Sequence, residues 1–224
     1  MSVLYLYAVT EGEPGGPLGE GIGGEPLRLA RSRGIGMIVG TLEAPPLPSP
    51  EILKRQDAVV RRLAGLFPAL LPARFGESAA DEATFSARLA PRESELAAAL
   101  TLVRGCVQMT LRVFGEPDPS PAPEPLKAGP GARYLETRRR EGEKMRSLPE
   151  IAPLSRALQP LLRAERIERQ TAGPLLGTAY HLVPRAAAAA YLAAVEEARG
   201  RIGGRRIVAT GPWPPYAFAP GATP

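Results

Sequence analysis

The chain has one cysteine, Cys106, and one histidine, His181, in 224 residues. A single cysteine excludes an internal disulfide framework. It lies in an apolar strand pattern and reads as a small buried residue. So few thiols and imidazoles also exclude zinc-type ligand spacings, leaving open by composition only a metal site built from acids alone. Acid–base or nucleophilic catalysis needs a base within hydrogen-bond reach of its partner. His181 sits inside a strand run, Thr178-Ala179-Tyr180-His181-Leu182, far along the chain from Cys106. The sequence therefore points away from enzymatic activity, and His181 reads as structural. Aromatics are scarce at 5%, which leaves the core to Leu, Val, Ile and Ala. No stretch reaches the roughly 18 apolar residues of a membrane helix. The chain enters a strand at once, without a charged leader and cleavage site, so a soluble cytoplasmic protein is expected. Asparagine is absent and lysine nearly so, and the positive charge is almost all arginine. That bias reads as genome composition rather than function.

What is present is enough apolar sequence for a core, 44% of residues, and clustered punctuation from 26 Pro and 24 Gly. Such clustering separates ordered blocks with irregular segments. The net charge of +5 and pI of about 9.7 suit nucleic acid or an acidic partner. Because the basic residues are interleaved with acids, the plainer reading is a solvated mixed-charge surface.

Val3 to Val9 is β-rich and apolar, hence a strand. Thr10 to Glu25 is a Gly/Pro-rich loop. Leu27 to Ala30 and Ile35 to Leu42 form a hairpin about Ser32-Arg33-Gly34. A proline-rich connector, 43–50, leads to a helix over 50–67, with Ser49 as N-cap and Pro50 in the first turn. Its apolar face carries Ile52, Leu53, Gln56, Val59, Val60, Leu63 and Leu66. Leu70 to Gly76 reads as a buried strand. The segment 80–104 is helical with a break near Pro91. Gly105 to Phe114 alternates as a half-buried strand, and 116–131 is a Pro-rich linker. Then follow a charged helix over 131–145, an amphipathic helix over 148–162, strands over 163–172 and 175–183, an alanine-rich helix over 184–199, a strand over 206–210 and a Pro/aromatic tail, 211–224.

From Gly105 the order is strand, helix, strand, strand, helix, strand, the ferredoxin-like βαββαβ plan. From Val3 the order is the same with the first helix replaced by the glycine-rich loop. The expected fold is α+β: an N-terminal modified ferredoxin-like domain over 1–77, and over 78–224 connecting helices plus a C-terminal α+β domain with its tail.

Two motifs are false friends. Gly21, Gly23 and Gly24 follow a strand, but a phosphate-cradling loop must open a helix, and here a proline and a strand follow. Leu4-Tyr5-Leu6-Tyr7 with Arg33-Gly34-Ile35-Gly36-Met37-Ile38-Val39-Gly40 resembles the paired motifs of an RNA-recognition sheet. Stacking needs exposed rings, and the second motif offers Ile35, Met37 and Gly40 instead. A ferredoxin-like module for nucleic acid or a small ligand stands as the alternative function.

Four segments, in order and spanning almost the whole chain, resemble the gas vesicle protein F/L family. They are Tyr5-Leu6-Tyr7, Leu71-Pro72-Ala73-Arg74-Phe75-Gly76, Gly131-Ala132-Arg133-Tyr134-Leu135 and Gly211-Pro212-Trp213-Pro214-Pro215-Tyr216-Ala217-Phe218. The resemblance implies two α+β domains, the first a modified ferredoxin-like one. It implies a non-enzymatic accessory or structural protein needed for assembly of the gas-filled protein shell, in the cytoplasm and on the gas vesicle. The implied partners are the hydrophobic shell-forming protein and other vesicle accessory proteins, with no nucleic acid and no lipid membrane. No catalytic residue, cofactor or metal is expected. Candidate structural or interaction residues are Arg74, Phe75, Tyr134, Trp213, Tyr216 and Phe218. Arg74 is expected to tie down the domain junction, and the tail to dock on its own domain in preference to a partner. A sheet edge open to an added strand, or an apolar groove between the domains, would suit an apolar shell subunit.

Overall fold

The computed structural model describes residues 2–116, 148–170, 173–200 and 205–221. The chain divides into two compact units, Met1–Gln108 with Trp213–Pro224, and Met109–Pro212. The helical segment after residue 77 and the tail thus group with the first sheet, which differs from the division at 77/78 read from the sequence.

The first unit holds strands β1 (Val3–Glu11), β2 (Arg28–Ser32), β3 (Ile35–Leu42), β4 (Ala69–Pro72) and β5 (Ser78–Ala79). Its helices are α1 (Pro50–Leu66), α2 (Glu82–Leu89) and α3 (Glu93–Val103). The sheet order is β2-β3-β1-β4, and every pairing in it is antiparallel. β5 continues the pairing along β1, with Leu4 opposite Ala79 and Tyr5 opposite Ser78. The sheet therefore runs past Gly76, and the strand expected over 70–76 ends at Pro72: Ala73 to Gly76 belong to no strand, and β5 begins only at Ser78. Arg33 and Gly34 both have positive φ, 50° and 85°. That is the two-residue turn whose twist matches the strands of a hairpin.

Every residue of β1 from Leu4 to Thr10 is buried, so both faces of the sheet are covered. On one face α1 turns in Val59, Val60 and Leu63, which pack with Tyr5, Tyr7 and Ile38. Ser49 caps α1 by accepting from Ile52 N at 3.3 Å, with Pro50 in the first turn. Leu53, expected on the buried face, is 45% exposed. α2 begins with its cap Asp81, whose carboxylate accepts from Thr84 N at 2.8 Å. A 3₁₀ turn at Ala90–Arg92 separates it from α3, which packs on β4. Pro91 in that turn accounts for the break: it has no N–H to continue the helix.

The second unit holds β7 (Ala164–Arg169), β8 (Leu175–Pro184), α4 (Ala152–Leu158), α5 (Ala188–Arg199) and all but the ends of β6 (Cys106–Phe114) and β9 (Arg206–Trp213), whose residues up to Gln108 and from Trp213 belong to the first unit. Its sheet order is β7-β8-β6-β9, with β7 and β8 antiparallel. Counting strands from one within each unit, both sheets read 2-3-1-4, the ferredoxin-like order, and the α+β expectation is borne out. α4 is shorter than the sequence pattern because 3₁₀ turns at Pro149–Ile151 and Gln159–Leu161 flank it. It still buries Leu154 and Leu158 and packs against α5, whose buried residues are Tyr191, Val195 and Ala198. β6 is buried from Cys106 to Leu111, including Gln108 and Thr110. It is thus not half-exposed in that stretch: the polar face predicted from alternation is covered too. The linker and the charged helix with Tyr134 lie outside the described residues.

Candidate functional site

The glycine-rich segment 12–27 stands where a ferredoxin-like unit has its first helix, and it carries no regular element beyond a single bridge, Glu20 to Pro26. An irregular segment against a sheet must satisfy its own backbone groups. Helix α1 supplies much of that. Arg62 donates from Nε to Leu18 O at 3.2 Å and from Nη2 to Glu20 O, and Arg55 reaches Ile22 O at 3.5 Å. Gly15 N in turn donates to Leu66 O at 2.8 Å, satisfying a carbonyl at the end of α1. Ile22 and Leu27 fill the core beside Tyr7 and Val60.

Tyr5 and Tyr7 have no exposed surface, and their rings meet edge to face at 4.9 Å. The Tyr5 hydroxyl donates to Gln56 Oε1 on α1 and accepts from Gly76 N at 3.1 Å. The Tyr7 hydroxyl donates to Glu25 Oε1 and accepts from Ile22 N at 2.9 Å. Glu25 Oε2 also accepts from Gly23 N at 2.9 Å. Burial raises both phenols, Tyr7 well above the usual range, so both stay protonated donors. The glycines here have a packing reason. A Cβ on Gly21 would overlap the Glu25 carboxylate and the Tyr7 hydroxyl, and one on Gly40 would lie 2.7 Å from Glu25 Cγ. With Tyr5, Tyr7, Ile35 and Met37 all buried, these motifs present no ring on which a base could stack.

The remaining described candidates lie in the same unit. Phe75 is half-buried and meets Tyr5 edge to face at 6.4 Å. Arg74 is exposed and points toward the tail: a Cβ on Gly221 would lie 3.7 Å from its Nη2 and 3.2 Å from that of Arg92. Trp213 lies under the Arg61 guanidinium at 3.9 Å. The Tyr216 hydroxyl donates to Asp57 Oδ1 at 3.0 Å, and Ala217 N donates to Gln108 Oε1 at 2.8 Å. Phe218 is half-buried in the 3₁₀ turn Tyr216–Phe218. The tail is thus packed against α1. Sequence reasoning missed Glu25, Asp57 and Arg61. The signals were Gln56, a polar residue on an apolar helix face that required a buried partner, and the Asp57/Arg61 spacing on α1.

Among the described residues, the most catalysis-like cluster lies in the second unit. His181 is fully buried, with Nδ1 2.7 Å from the Tyr191 hydroxyl and Nε2 2.9 Å from Glu165 Oε1. In a neutral ring one arrangement satisfies all three groups: Tyr191 donates to Nδ1, and Nε2–H donates to Glu165. Burial raises the Tyr191 phenol far above its usual range, which removes it as a nucleophile. The ring is closed to solvent and joins β7, β8 and α5. It is a structural tie. In the same unit Glu150, its side chain fully buried, takes both arms of Arg169 at 2.5 and 3.2 Å.

Among the described residues no group of His, Cys, Asp and Glu could hold a metal ion, and no helix is long and apolar enough to cross a membrane. An open cavity of about 510 Å³ lies beside the first sheet, lined by Val3, Arg28, Asp81 and Glu82 among others. Arg28 pairs with Glu82, and Asp81 caps α2, so both acids are already engaged.

The family described as "Gas vesicle synthesis protein GvpL/GvpF" matches residues 3–220 of the chain. Among characterised proteins, the gas vesicle protein L of Streptomyces sp. (strain CB03234) is 29% identical, over 96% of this chain and 92% of that protein. Among solved structures, the gas vesicle protein GvpF of Anabaena sp. PCC7120 superposes with a TM-score of 0.75 at 18% identity, covering 99% of this chain and 98% of the other. That of Microcystis aeruginosa gives a TM-score of 0.73 at 18% identity, covering 96% of this chain and 98% of the other. These two similarities speak to the fold.

Proposed function

Because the chain belongs to the gas vesicle synthesis protein GvpL/GvpF family, we propose that it is a non-enzymatic accessory protein of gas vesicle assembly. In this reading it binds the hydrophobic shell-forming protein and other accessory proteins, in the cytoplasm and at the growing vesicle. The observation that carries the reading is the family match across residues 3–220. The geometry supports it: the titratable residues that look most like a catalytic site, Glu165, His181 and Tyr191, are consumed in a buried tie.

In this reading Phe75, Trp213, Tyr216 and Phe218 serve architecture. Phe75 buttresses Tyr5, Trp213 and Tyr216 hold the tail to α1, and Phe218 is half-buried in the turn that follows. Arg74, exposed beside the tail, is the candidate left for a partner. The role is tested by deleting the gene from a vesicle-forming host, counting vesicles by electron microscopy, and capturing the shell-forming protein on the purified chain. Loss of vesicles together with capture is expected. Vesicles normal in number and shape, with no vesicle protein captured, would sink the reading.

A further inference from the structure

We propose that the outer edge of β2 docks an extended, carboxylate-bearing segment of a partner protein as an added antiparallel strand. β2 ends the first sheet. Its two-residue turn to β3 closes the Ser32–Ile35 pair, and the register continues without a slip through Ala30–Met37 to Arg28–Val39. In an antiparallel ladder, pairs that exchange hydrogen bonds alternate with pairs that do not. Ser32, Ala30 and Arg28 therefore bond inward to β3, and the N–H and C=O groups of Leu29 and Arg31 point away from the sheet. Among the described residues neither backbone is bonded by any other group of the chain. The opposite edge differs, because α3 and the 3₁₀ turn at Tyr216–Phe218 flank β4.

Charge selects the occupant. Between Arg28 and Arg33 the edge carries three arginines and no acid. Each now meets a glutamate from a different segment: Arg28 with Glu82, Arg31 with Glu13, and Arg33 with Glu93 at 3.7 Å. All six side chains are well exposed, at 38% or more. Exposed pairs of this kind contribute little, so an incoming carboxylate can replace an internal one at small cost. A second copy of β2 does not fit, since two such strands would place six arginines along one seam. Charged edges are how sheets avoid that pairing. A strand bearing carboxylates meets both demands, backbone groups for Leu29 and Arg31 and counter-charge for the arginines.

The inference rests on the accessory role only for who the partner is; the edge and its chemistry can be tested on the purified chain. The probe is a fluorescent peptide of about ten residues, alternating Val and Glu, against its Val/Lys counterpart at low salt. The acidic peptide is expected to bind at least about tenfold more tightly, and amide exchange at Leu29 and Arg31 to slow on binding. Arg31→Pro removes one outward N–H and no ladder bond, so binding should fall about tenfold with the unfolding midpoint unchanged. Should Arg31→Pro fail to fold, the pair Arg28→Glu and Arg31→Glu serves instead, and should reverse the peptide preference. Equal affinity for the two peptides, or binding that leaves the Leu29 and Arg31 amides exchanging as before, would overturn the proposal. Normal vesicle assembly by a folded Arg31→Pro chain would overturn this edge and leave the accessory role standing. A gene deletion without effect on vesicles would remove that role and leave the peptide result intact.

Discussion

The Tyr216 hydroxyl donates to Asp57 Oδ1 at 3.0 Å across 159 positions of sequence. The other oxygen of that carboxylate accepts from Arg61 Nε at 2.7 Å, and the Arg61 guanidinium covers Trp213. Two residues one turn apart on α1 thus hold two aromatics of the tail. Burial first, and the Asp57 charge second, push the Tyr216 phenol above its usual range, so it remains a donor at any physiological pH.

Tyr216→Phe should therefore cost stability. A hydrogen bond to a charged group is worth about 1.5–3 kcal/mol. The low end applies, since the carboxylate keeps Arg61 as a partner. Urea unfolding should show about 1.5 kcal/mol lost, and truncation before Trp213 should lose more, because Gln108 also loses Ala217. Unchanged stability with weakened capture of a vesicle protein would mean that the tail serves a partner instead.

The glycine-rich segment makes a sharper prediction. Gly21→Ala drives a Cβ into the Glu25 carboxylate and the Tyr7 hydroxyl, so the segment must lift. Limited proteolysis should then cut within 12–27, where the parent chain resists. Tyr7→Phe leaves Ile22 N without its buried acceptor, a loss of about 1–3 kcal/mol, and should open the same segment. Equal protease resistance in both variants would contradict this account of the loop.

Much of the architecture could be read from the chain. Periodicity placed α1, the Pro91 break and the hairpin, and the order of elements gave the ferredoxin-like plan twice. What could not be read depended on contacts between distant residues. Alternation in β6 pointed to an exposed polar face, but Gln108 is buried because the tail, more than a hundred residues later, bonds to it. Leu53 has the spacing of a core residue, yet it stands exposed on α1. The Tyr5-Leu6-Tyr7 motif was visible as a resemblance. Its physical purpose, two hydroxyls that anchor Gly76 and Ile22, appears only once the loop is folded over the sheet.

Acid should weaken the second unit in part through Glu165. The hydrogen bond from His181 lowers the Glu165 carboxyl below its usual range, and partial burial opposes this. A depressed native value means that the unfolded chain binds the proton first as pH falls. The stabilisation is then complete above the usual carboxylate range, near pH 4, and is lost as pH drops through the lower native value. Glu165→Gln should flatten this part of the acid limb. Unfolding midpoints measured from neutral to acid pH check it, and parallel curves for the two proteins would refute it.

The buried pair Glu150–Arg169 separates attraction from desolvation. The Glu150 side chain has no exposed surface, whereas that of Arg169 keeps 20%. Removing the arginine leaves a carboxylate with nowhere to be hydrated, and breaking a buried pair from one side costs about 3–5 kcal/mol. Arg169→Met should fall in that range. Glu150→Leu should cost less, because the arginine left behind can still reach water. The double variant should recover most of the loss, since two well-packed apolar residues can match a buried ion pair. A double-mutant cycle by urea unfolding reads all three. Additive losses would mean that the two side chains act independently, and that the bidentate contact contributes nothing to the second unit.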